Sequence, residues 1–215
     1  MRLSVSNIAW DIADEPAAAD LLAQAGVGCV DVAPGKYFPD PAAVSEAEGE
    51  RVRRWWADRG FEIVGMQALL FGTTGLNLFT DDGTMLQRLS QQCRIGRLLG
   101  AQALVFGSPK QRDRSSFDEA ETRRIAVDFF RRLGDAAAAE GVRVCLEANP
   151  AMYGCNFMMR TDEAAAVVRA VDHPAIGLQL DVGTMGVNGE DAEATIAAHA
   201  PLFAHAHASE PGLAT

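Results

Sequence analysis

The feature that most constrains the fold is a regular alternation of short apolar, β-rich runs with longer segments of helical periodicity. The apolar runs begin near Leu3, Gly28, Glu62, Ala103, Val142, Ile176 and Leu202. A strand and a helix therefore recur every roughly 25 to 40 residues, the repeat of a parallel βα sheet with right-handed crossovers. Helix punctuation agrees, because Ala17 to Ala25 is followed by Gly26 and Asp118 to Glu140 by Gly141. The alternation alone fits a barrel or a doubly wound sheet.

The residues that follow each predicted strand distinguish these two architectures. Barrel enzymes place their chemistry at the C-terminal ends of many strands, whereas a doubly wound sheet concentrates it at one switch point, often with a glycine-rich phosphate loop. Neither GxGxxG nor GxxxxGK[ST] occurs in the chain. The strand ends instead supply a ring of side chains: Asn7 and Trp10, Asp31, Gln67, Ser108 and Lys110, Glu147 and Asn149, Asp181, and His205 and His207. The sequence therefore predicts a (β/α) TIM barrel.

The length of 215 residues favours one domain over two, because a chain of this size can bury one full core. A complete barrel has eight strands in typically ~250 residues, and the apolar runs supply about seven. We expect residues 1–215 to form a single barrel domain that lacks the last strand and helix. The exposed edges of such a barrel favour dimerisation or strand exchange, and hence a homo-oligomer.

Composition and charge argue against several classes of function. The net charge of -10 at pH 7 disfavours nucleic-acid binding, which depends on clustered lysine and arginine. No stretch approaches the roughly 20 apolar residues that span a bilayer, and residues 1–10 are too short and mixed for a secretory signal. The four cysteines form no CxxC pair and are expected to be reduced and mostly buried. We expect a cytoplasmic protein that binds neither nucleic acid nor membrane.

Three of the strand ends carry residue types that bind metal ions. Glu147 and Asn149 share one face of an extended segment, Asp181 closes the next run, and His205 and His207 lie two apart on the following one. Each feature is ambiguous alone, because such residues are commonly capping groups, turn formers or hydrogen-bonded core histidines. Two carboxylates brought together at a low-dielectric barrel end repel each other unless a cation offsets them. A divalent metal would supply that offset.

The segments around these residues resemble the motifs of a known family. Cys-Leu-Glu147-Ala-Asn149-Pro, Leu-Gln-Leu-Asp181-Val-Gly and Ala-His205-Ala-His207-Ala-Ser-Glu210 are similar to the fifth, sixth and seventh strand motifs of the xylose-isomerase-like TIM barrel superfamily of sugar phosphate isomerases and epimerases. This group includes ketose 3-epimerases, hydroxypyruvate isomerases, inosose dehydratases and endonuclease IV. The resemblance begins at Ser-Asn-Ile-Ala-Trp10 and covers almost the whole chain. It implies that Glu147, Asp181 and His207 bind the metal.

The sequence departs from the family pattern in two places. The family's fourth ligand is a Glu on the eighth strand, whereas this sequence stops at Thr215. Either the chain is truncated, or a partner, Glu210 or water fills that position. Members with Asp-x-x-His on the sixth strand use that His at the substrate or a second metal, and Thr184 stands there in this chain. This argues against the three-metal endonuclease arrangement.

The resemblance implies a metal-dependent isomerase or epimerase of a sugar, keto-polyol or sugar phosphate, working by proton transfer through an enediolate. Glu147 is the expected catalytic base as well as a ligand. Two carboxylates and an imidazole favour Mn²⁺, Mg²⁺ or Co²⁺, and Zn²⁺ is acceptable. Without an eighth-strand carboxylate, one-base isomerisation is easier to defend than epimerisation. An inosose-type dehydratase and a degenerate sugar-binding barrel without turnover stay open as alternatives.

Seven side chains are predicted by position to contact the substrate: Trp10, Gln67, Lys110, Asn149, Tyr153, His205 and Glu210. His205 would face the interior below His207, where it orients a ligand, touches substrate or is simply a core histidine. Lys110 and Arg112 offer cations to a phosphate or carboxylate of the substrate. With Asp113 nearby, a solvated surface loop is the favoured interpretation of this segment.

Overall fold

The structure, a computed structural model, describes residues 2–213. The predicted domain of residues 1–215 also covers residues 1, 214 and 215, which lie outside the described residues. Within residues 2–213 the strands are β1 (Val5–Ser6), β2 (Cys29–Val32), β3 (Glu62–Met66), β4 (Ala103–Phe106), β5 (Arg143–Leu146), β6 (Ile176–Asp181) and β7 (Phe203–His207).

Helices alternate with these strands along the chain. The α-helices are α1 (Glu15–Gln24), α2 (Glu46–Ala57), α3 (Thr84–Leu99), α4 (Glu119–Ala139), α5 (Thr161–Val171), α6 (Val182–Asn188) and α7 (Ala192–His199). Short 3-10 helices lie at Asn7–Ala9, Ile12–Asp14, Pro34–Lys36, Leu78–Thr80, Pro109–Gln111, Ala151–Tyr153, Ala200–Leu202 and Pro211–Leu213. Each of the predicted apolar runs begins within about two residues of an observed strand, the difference expected at element ends.

The strands form one parallel sheet in chain order from β1 to β7. In a flat sheet β2 and β7 would be about 24 Å apart, because neighbouring strands lie about 4.8 Å apart. Instead His205 Nε2 on β7 lies 2.8 Å from Asp31 Oδ2 on β2. The sheet is therefore curled, and the prediction of a TIM barrel with about seven of its eight βα units is confirmed. Among the described residues β1 and β7 are its edges, and oligomerisation stays a prediction.

Local sequence sets where the helices begin and end. Ser45 and Glu48 form a reciprocal capping box at the start of α2, which satisfies two otherwise free N–H groups. Asp118 caps α4 by accepting a hydrogen bond from Glu121 N at 2.8 Å. Gly141, the predicted stop after α4, has a φ of 70°, which glycine adopts without steric cost. The chain then enters β5 in the direction that the sheet requires.

Apolar side chains between the sheet and the helices hold the strands in place. Phe106 of β4 and Phe130 of α4 are both fully buried and meet edge to face, with ring centroids 5.4 Å apart. Burial of each such ring contributes about 2–3 kcal/mol. All four cysteines are buried and unpaired, as predicted. In the part of the chain that the structure covers, no helix combines the length and apolar character needed to cross a bilayer.

Candidate metal centre

The ends of β5, β6 and β7 bring Glu147, Asp181 and His207 together. Asp181 lies opposite His207 in the β6–β7 register. Glu147 directly follows β5, whose last residue, Leu146, pairs with β6. One ligand atom from each of the three side chains lies within 4.8 Å of the other two. Parallel strands therefore deliver two carboxylates and one imidazole to a single point at the barrel mouth.

A second carboxylate–imidazole cluster adjoins the first and shares His207. Asp31 on β2, which is buried, has its Oδ2 2.8 Å from His205 Nε2 and 3.6 Å from His207 Nε2. The other ring nitrogen, His207 Nδ1, lies 3.5 Å from Glu147 Oε1. Asp31, His205 and His207 also present ligand atoms within 4.8 Å of one another. The sequence placed Asp31 in the predicted ring of strand ends but did not indicate that it would contact His205 and His207.

The charges in these clusters influence one another strongly. Burial acts to raise the pKa of Asp31, but the imidazoles of His205 and His207 outweigh it and lower the pKa to about 2. Burial acts to lower the pKa of His207, but the carboxylates of Asp31 and Glu147 outweigh it and raise the pKa to about 9. Burial, followed by repulsion from Glu147, raises the pKa of Asp181. The site therefore favours positive charge beside its carboxylates.

The donor set fits a divalent cation. Asp181 Oδ1 accepts a hydrogen bond from Thr184 N at 2.6 Å, and Asp181 Oδ2 accepts one from Ser209 Oγ at 3.2 Å, so the carboxylate is held in place. Asp181 thus caps α6 as well as facing the site. Within residues 2–213, His207 Nε2 and Asp31 Oδ1 are buried without a hydrogen-bond partner. Oriented carboxylates and an imidazole braced by a further carboxylate are typical of metal sites.

Glycines on neighbouring strands leave room for two of these carboxylates. A Cβ built at Gly65 of β3 would collide with Asp31 Oδ1, and one at Gly107 would lie 2.5 Å from Glu147 Oε2. A larger residue at either position would displace the carboxylate it meets. A glycine in or just after a predicted strand is a sequence signal for such close approach.

Arg112 and Asn149 lie behind Glu147. Arg112 is fully buried; its Nη1 donates to Glu147 O at 2.9 Å and its Nη2 to Asn149 Oδ1 at 2.7 Å. Asn149 Nδ2 donates to Glu147 Oε2 at 2.9 Å. The favoured interpretation of Arg112 as part of a solvated loop is therefore wrong, because these acceptors replace its hydration. The substrate contact predicted for Asn149 stays a prediction.

The other predicted substrate contacts differ in exposure. Trp10, Gln67 and Tyr153 are half-buried, whereas Lys110 and Glu210 are exposed. Trp10 Nε1 is buried without a partner among residues 2–213, which leaves one donor free. Neither ligand cluster found in those residues includes Glu210. The roles of these five side chains stay predictions.

The family described as xylose isomerase-like TIM barrel matches residues 19–212. D-psicose 3-epimerase from Clostridium cellulolyticum H10, solved with D-tagatose, is 19% identical with a TM-score of 0.78, covering 98% of this chain and 73% of that one. 3-Keto-D-glucoside 4-epimerase YcjR from E. coli is 13% identical with a TM-score of 0.77, covering 99% and 80%.

AsbF from Bacillus anthracis, described as a 3-DHS dehydratase involved in petrobactin synthesis, is 17% identical with a TM-score of 0.73, covering 96% of this chain and 72% of that one. No curated protein matches the chain by sequence. At such low identity the likeness to these solved structures concerns the fold alone.

Proposed function

Because this chain belongs to the xylose isomerase-like TIM barrel family, we propose that it is a metal-dependent isomerase or epimerase of a sugar, keto-polyol or sugar phosphate. The convergence of Glu147, Asp181 and His207 within 4.8 Å carries the proposal. The likeness to D-psicose 3-epimerase solved with D-tagatose supports a sugar as substrate. Residues 1–215 act in this proposal as one barrel domain.

Glu147, Asp181 and His207 would hold one divalent cation, with Mn²⁺, Mg²⁺ or Co²⁺ favoured and Zn²⁺ acceptable. When bound, the cation supplies Lewis-acid polarisation of the substrate carbonyl. Asp31 faces His207 Nε2, and this leaves Nδ1 turned toward Glu147. A carboxylate behind an imidazole fixes the tautomer and orientation of the ring, which is the role we assign to Asp31.

Glu147 is the group that would move the proton. Its Oε1 faces His207 Nδ1, and its Oε2 accepts one hydrogen bond from Asn149 Nδ2. A carboxylate oxygen has two lone pairs, so Oε2 can still accept the proton from the carbon next to the substrate carbonyl. Return of that proton to the adjoining carbon, with the hydroxyl proton passing between the two substrate oxygens, gives isomerisation, whereas epimerisation needs a second proton donor on the opposite face of the same carbon.

Solvent isotope exchange tests this proposal. The protein is incubated with Mn²⁺ and a panel of ketohexoses and their phosphates in D₂O, and the products are followed by NMR. We expect deuterium at the carbon next to the carbonyl, dependent on Mn²⁺ and lost in Glu147→Gln. Glu193→Gln, which changes an exposed carboxylate on α7, is the matched control and should retain exchange.

Other outcomes of the same assay would contradict the proposal in distinguishable ways. With inosose added to the panel, loss of water from inosose without any isomerised ketose would assign a dehydratase to this scaffold. Binding of Mn²⁺ and sugar without deuterium incorporation would indicate a barrel that binds its ligand without turnover. Exchange that persists in Glu147→Gln would exclude that carboxylate as the base.

A further inference from the structure

The buried guanidinium of Arg112 is the least expected group near the candidate site. Its side chain is fully buried, and within residues 2–213 it donates hydrogen bonds to two neutral acceptors, Glu147 O and Asn149 Oδ1. Its Nε has no partner among residues 2–213. Burying a cation costs several kcal/mol unless its surroundings compensate. The free-energy cost of burying this cation directly behind Glu147 indicates that Arg112 has a functional role.

The backbone on both sides of this contact adopts unusual conformations. Ser108 has a φ of 45° and begins the turn Pro109–Gln111, which leads the chain inward to Arg112. Asn149 N donates to the carbonyl of Met158, a residue with a φ of 57°. Non-glycine residues with positive φ cost about 1–3 kcal/mol each and cluster at functional sites. Both partners are therefore held by local structure as well as by each other.

The chemistry of the donors fixes the direction of this network. A guanidinium only donates hydrogen bonds, so Asn149 must turn its Oδ1 toward Arg112. The amide Nδ2 is then directed to Glu147 Oε2, 2.9 Å away, which leaves Glu147 Oε1 facing His207 Nδ1 at 3.5 Å. A Cβ at Gly107 would lie 2.5 Å from Glu147 Oε2 and 3.2 Å from Asn149 Oδ1. The space for the amide–carboxylate pair therefore depends on glycine at that position.

We propose that Arg112 and Asn149 are positioning residues. Arg112 sets the orientation of the Asn149 amide, and Asn149 holds Glu147 Oε2 so that Oε1 is directed into the metal site. Their importance for catalysis rests on the proposed function, whereas their effect on the Glu147 side chain does not. Neither residue needs to contact substrate in this arrangement.

A double-mutant cycle on metal affinity tests the chain of contacts. Mn²⁺ binding is measured by calorimetry without substrate for Asn149→Ala, Arg112→Met and the double variant. Each single change should weaken binding about 10- to 100-fold, the usual effect of removing a group that orients a ligand. Because Arg112 acts through Asn149, the double variant should lose no more than the larger single loss. Losses that add, or unchanged affinity in Asn149→Ala, would overturn the proposal.

Arg114→Met is the matched control for the cycle. Arg114 lies two residues further along the same loop, and its guanidinium binds Asn156 O and Glu119 instead of the site. We expect its Mn²⁺ affinity to equal that of the unmodified protein. A loss equal to that of Arg112→Met would show that the loop as a whole, and not the Arg112–Asn149 contact, supports the site, and would also overturn the proposal.

The crystal structure of metal-free Asn149→Ala would test the positioning role of Asn149 without metal or turnover. This variant keeps the buried Arg112, so it avoids the folding defect that Arg112→Met can cause. We expect the Glu147 carboxylate to leave its original position or to occupy more than one rotamer. A carboxylate that stays in place would overturn the positioning role. If the unmodified protein binds no Mn²⁺, the proposed function fails, while this structure still decides the role of Asn149.

Discussion

Metal binding at this site should displace a proton from His207 and therefore strengthen as pH rises. Burial disfavours the charged imidazole, but the carboxylates of Asp31 and Glu147 raise the pKa of His207 to about 9. At pH 7 the metal-free protein thus carries a protonated imidazole there. Only the neutral ring has a lone pair for a metal, so the cation must compete with that proton.

The pKa sets the size of the effect. The interval from pH 7 to a pKa of about 9 corresponds to about 3 kcal/mol, at about 1.4 kcal/mol per pKa unit. Proton competition should therefore reduce the apparent Mn²⁺ affinity about 100-fold at pH 7, compared with a site whose imidazole is already neutral. Between pH 6 and pH 8 the apparent affinity should rise about tenfold per pH unit.

Calorimetry in buffers of different ionisation enthalpy measures both the affinity and the protons released. We expect about one proton per Mn²⁺ at pH 7. Asp31→Asn removes one of the carboxylates that raise the pKa of His207, so fewer protons should be released at pH 8. His173→Asn, which changes an imidazole in contact with Asp135, should leave the proton count unchanged. Binding that releases no proton at pH 7, or whose affinity does not change with pH, would refute this reasoning.

Three further predictions concern the same residues. Glu147→Gln should slow solvent exchange into substrate about 100-fold or more, measured by NMR, and a rate equal to that of the unmodified protein would contradict its role as base. Gly107→Ala should weaken Mn²⁺ binding about tenfold or more, because the new Cβ would lie 2.5 Å from Glu147 Oε2. Gly35→Ala, where a Cβ meets nothing within 4 Å, is its control. The pKa of His207 is raised from 6.5 to about 9, so its protonated imidazole stabilises the metal-free fold below pH 6.5. About 3 kcal/mol of the free energy of unfolding should be lost as pH rises through 9. The pKa of Asp31 is lowered from 3.8 to about 2, so its carboxylate stabilises the folded protein above pH 3.8, and that contribution is lost as pH falls toward 2. Urea unfolding checks both limits, and an unchanged profile in His207→Asn would contradict the assignment.

The fold could be predicted from the sequence because its signals are local. Each strand is a short apolar run, and its polar end follows directly, so the register of a parallel sheet brings Glu147, Asp181 and His207 to one level. The helix stop at Gly141 is likewise a local signal. Neighbouring strands needed no long-range information to be placed correctly.

The parts of the site that could not be predicted are contacts between residues that lie far apart in the sequence. Asp31 meets His205 only because the sheet curls, and no periodicity within β2 encodes that encounter. Arg112 was interpreted as a solvated residue because charged side chains in loops are usually exposed. Its burial depends on acceptors supplied by Glu147 and Asn149, more than 30 positions later. Sequence patterns indicate which residues share a face of one strand, but they do not indicate contacts that form only when distant strands and loops come together in the folded protein.

The contact between Asp31 and His205 joins positions 174 residues apart. During synthesis β2 leaves the ribosome long before β7, so the contact between Asp31 and His205 cannot form until β7, the last of the described strands, has been made. Contacts of such high sequence separation form late and slowly, because the closure entropy must be lost first. Loading of the cation would therefore come only after β7 has been made and has joined the sheet, and retention of the ion would distinguish molecules with a closed site from partly folded ones.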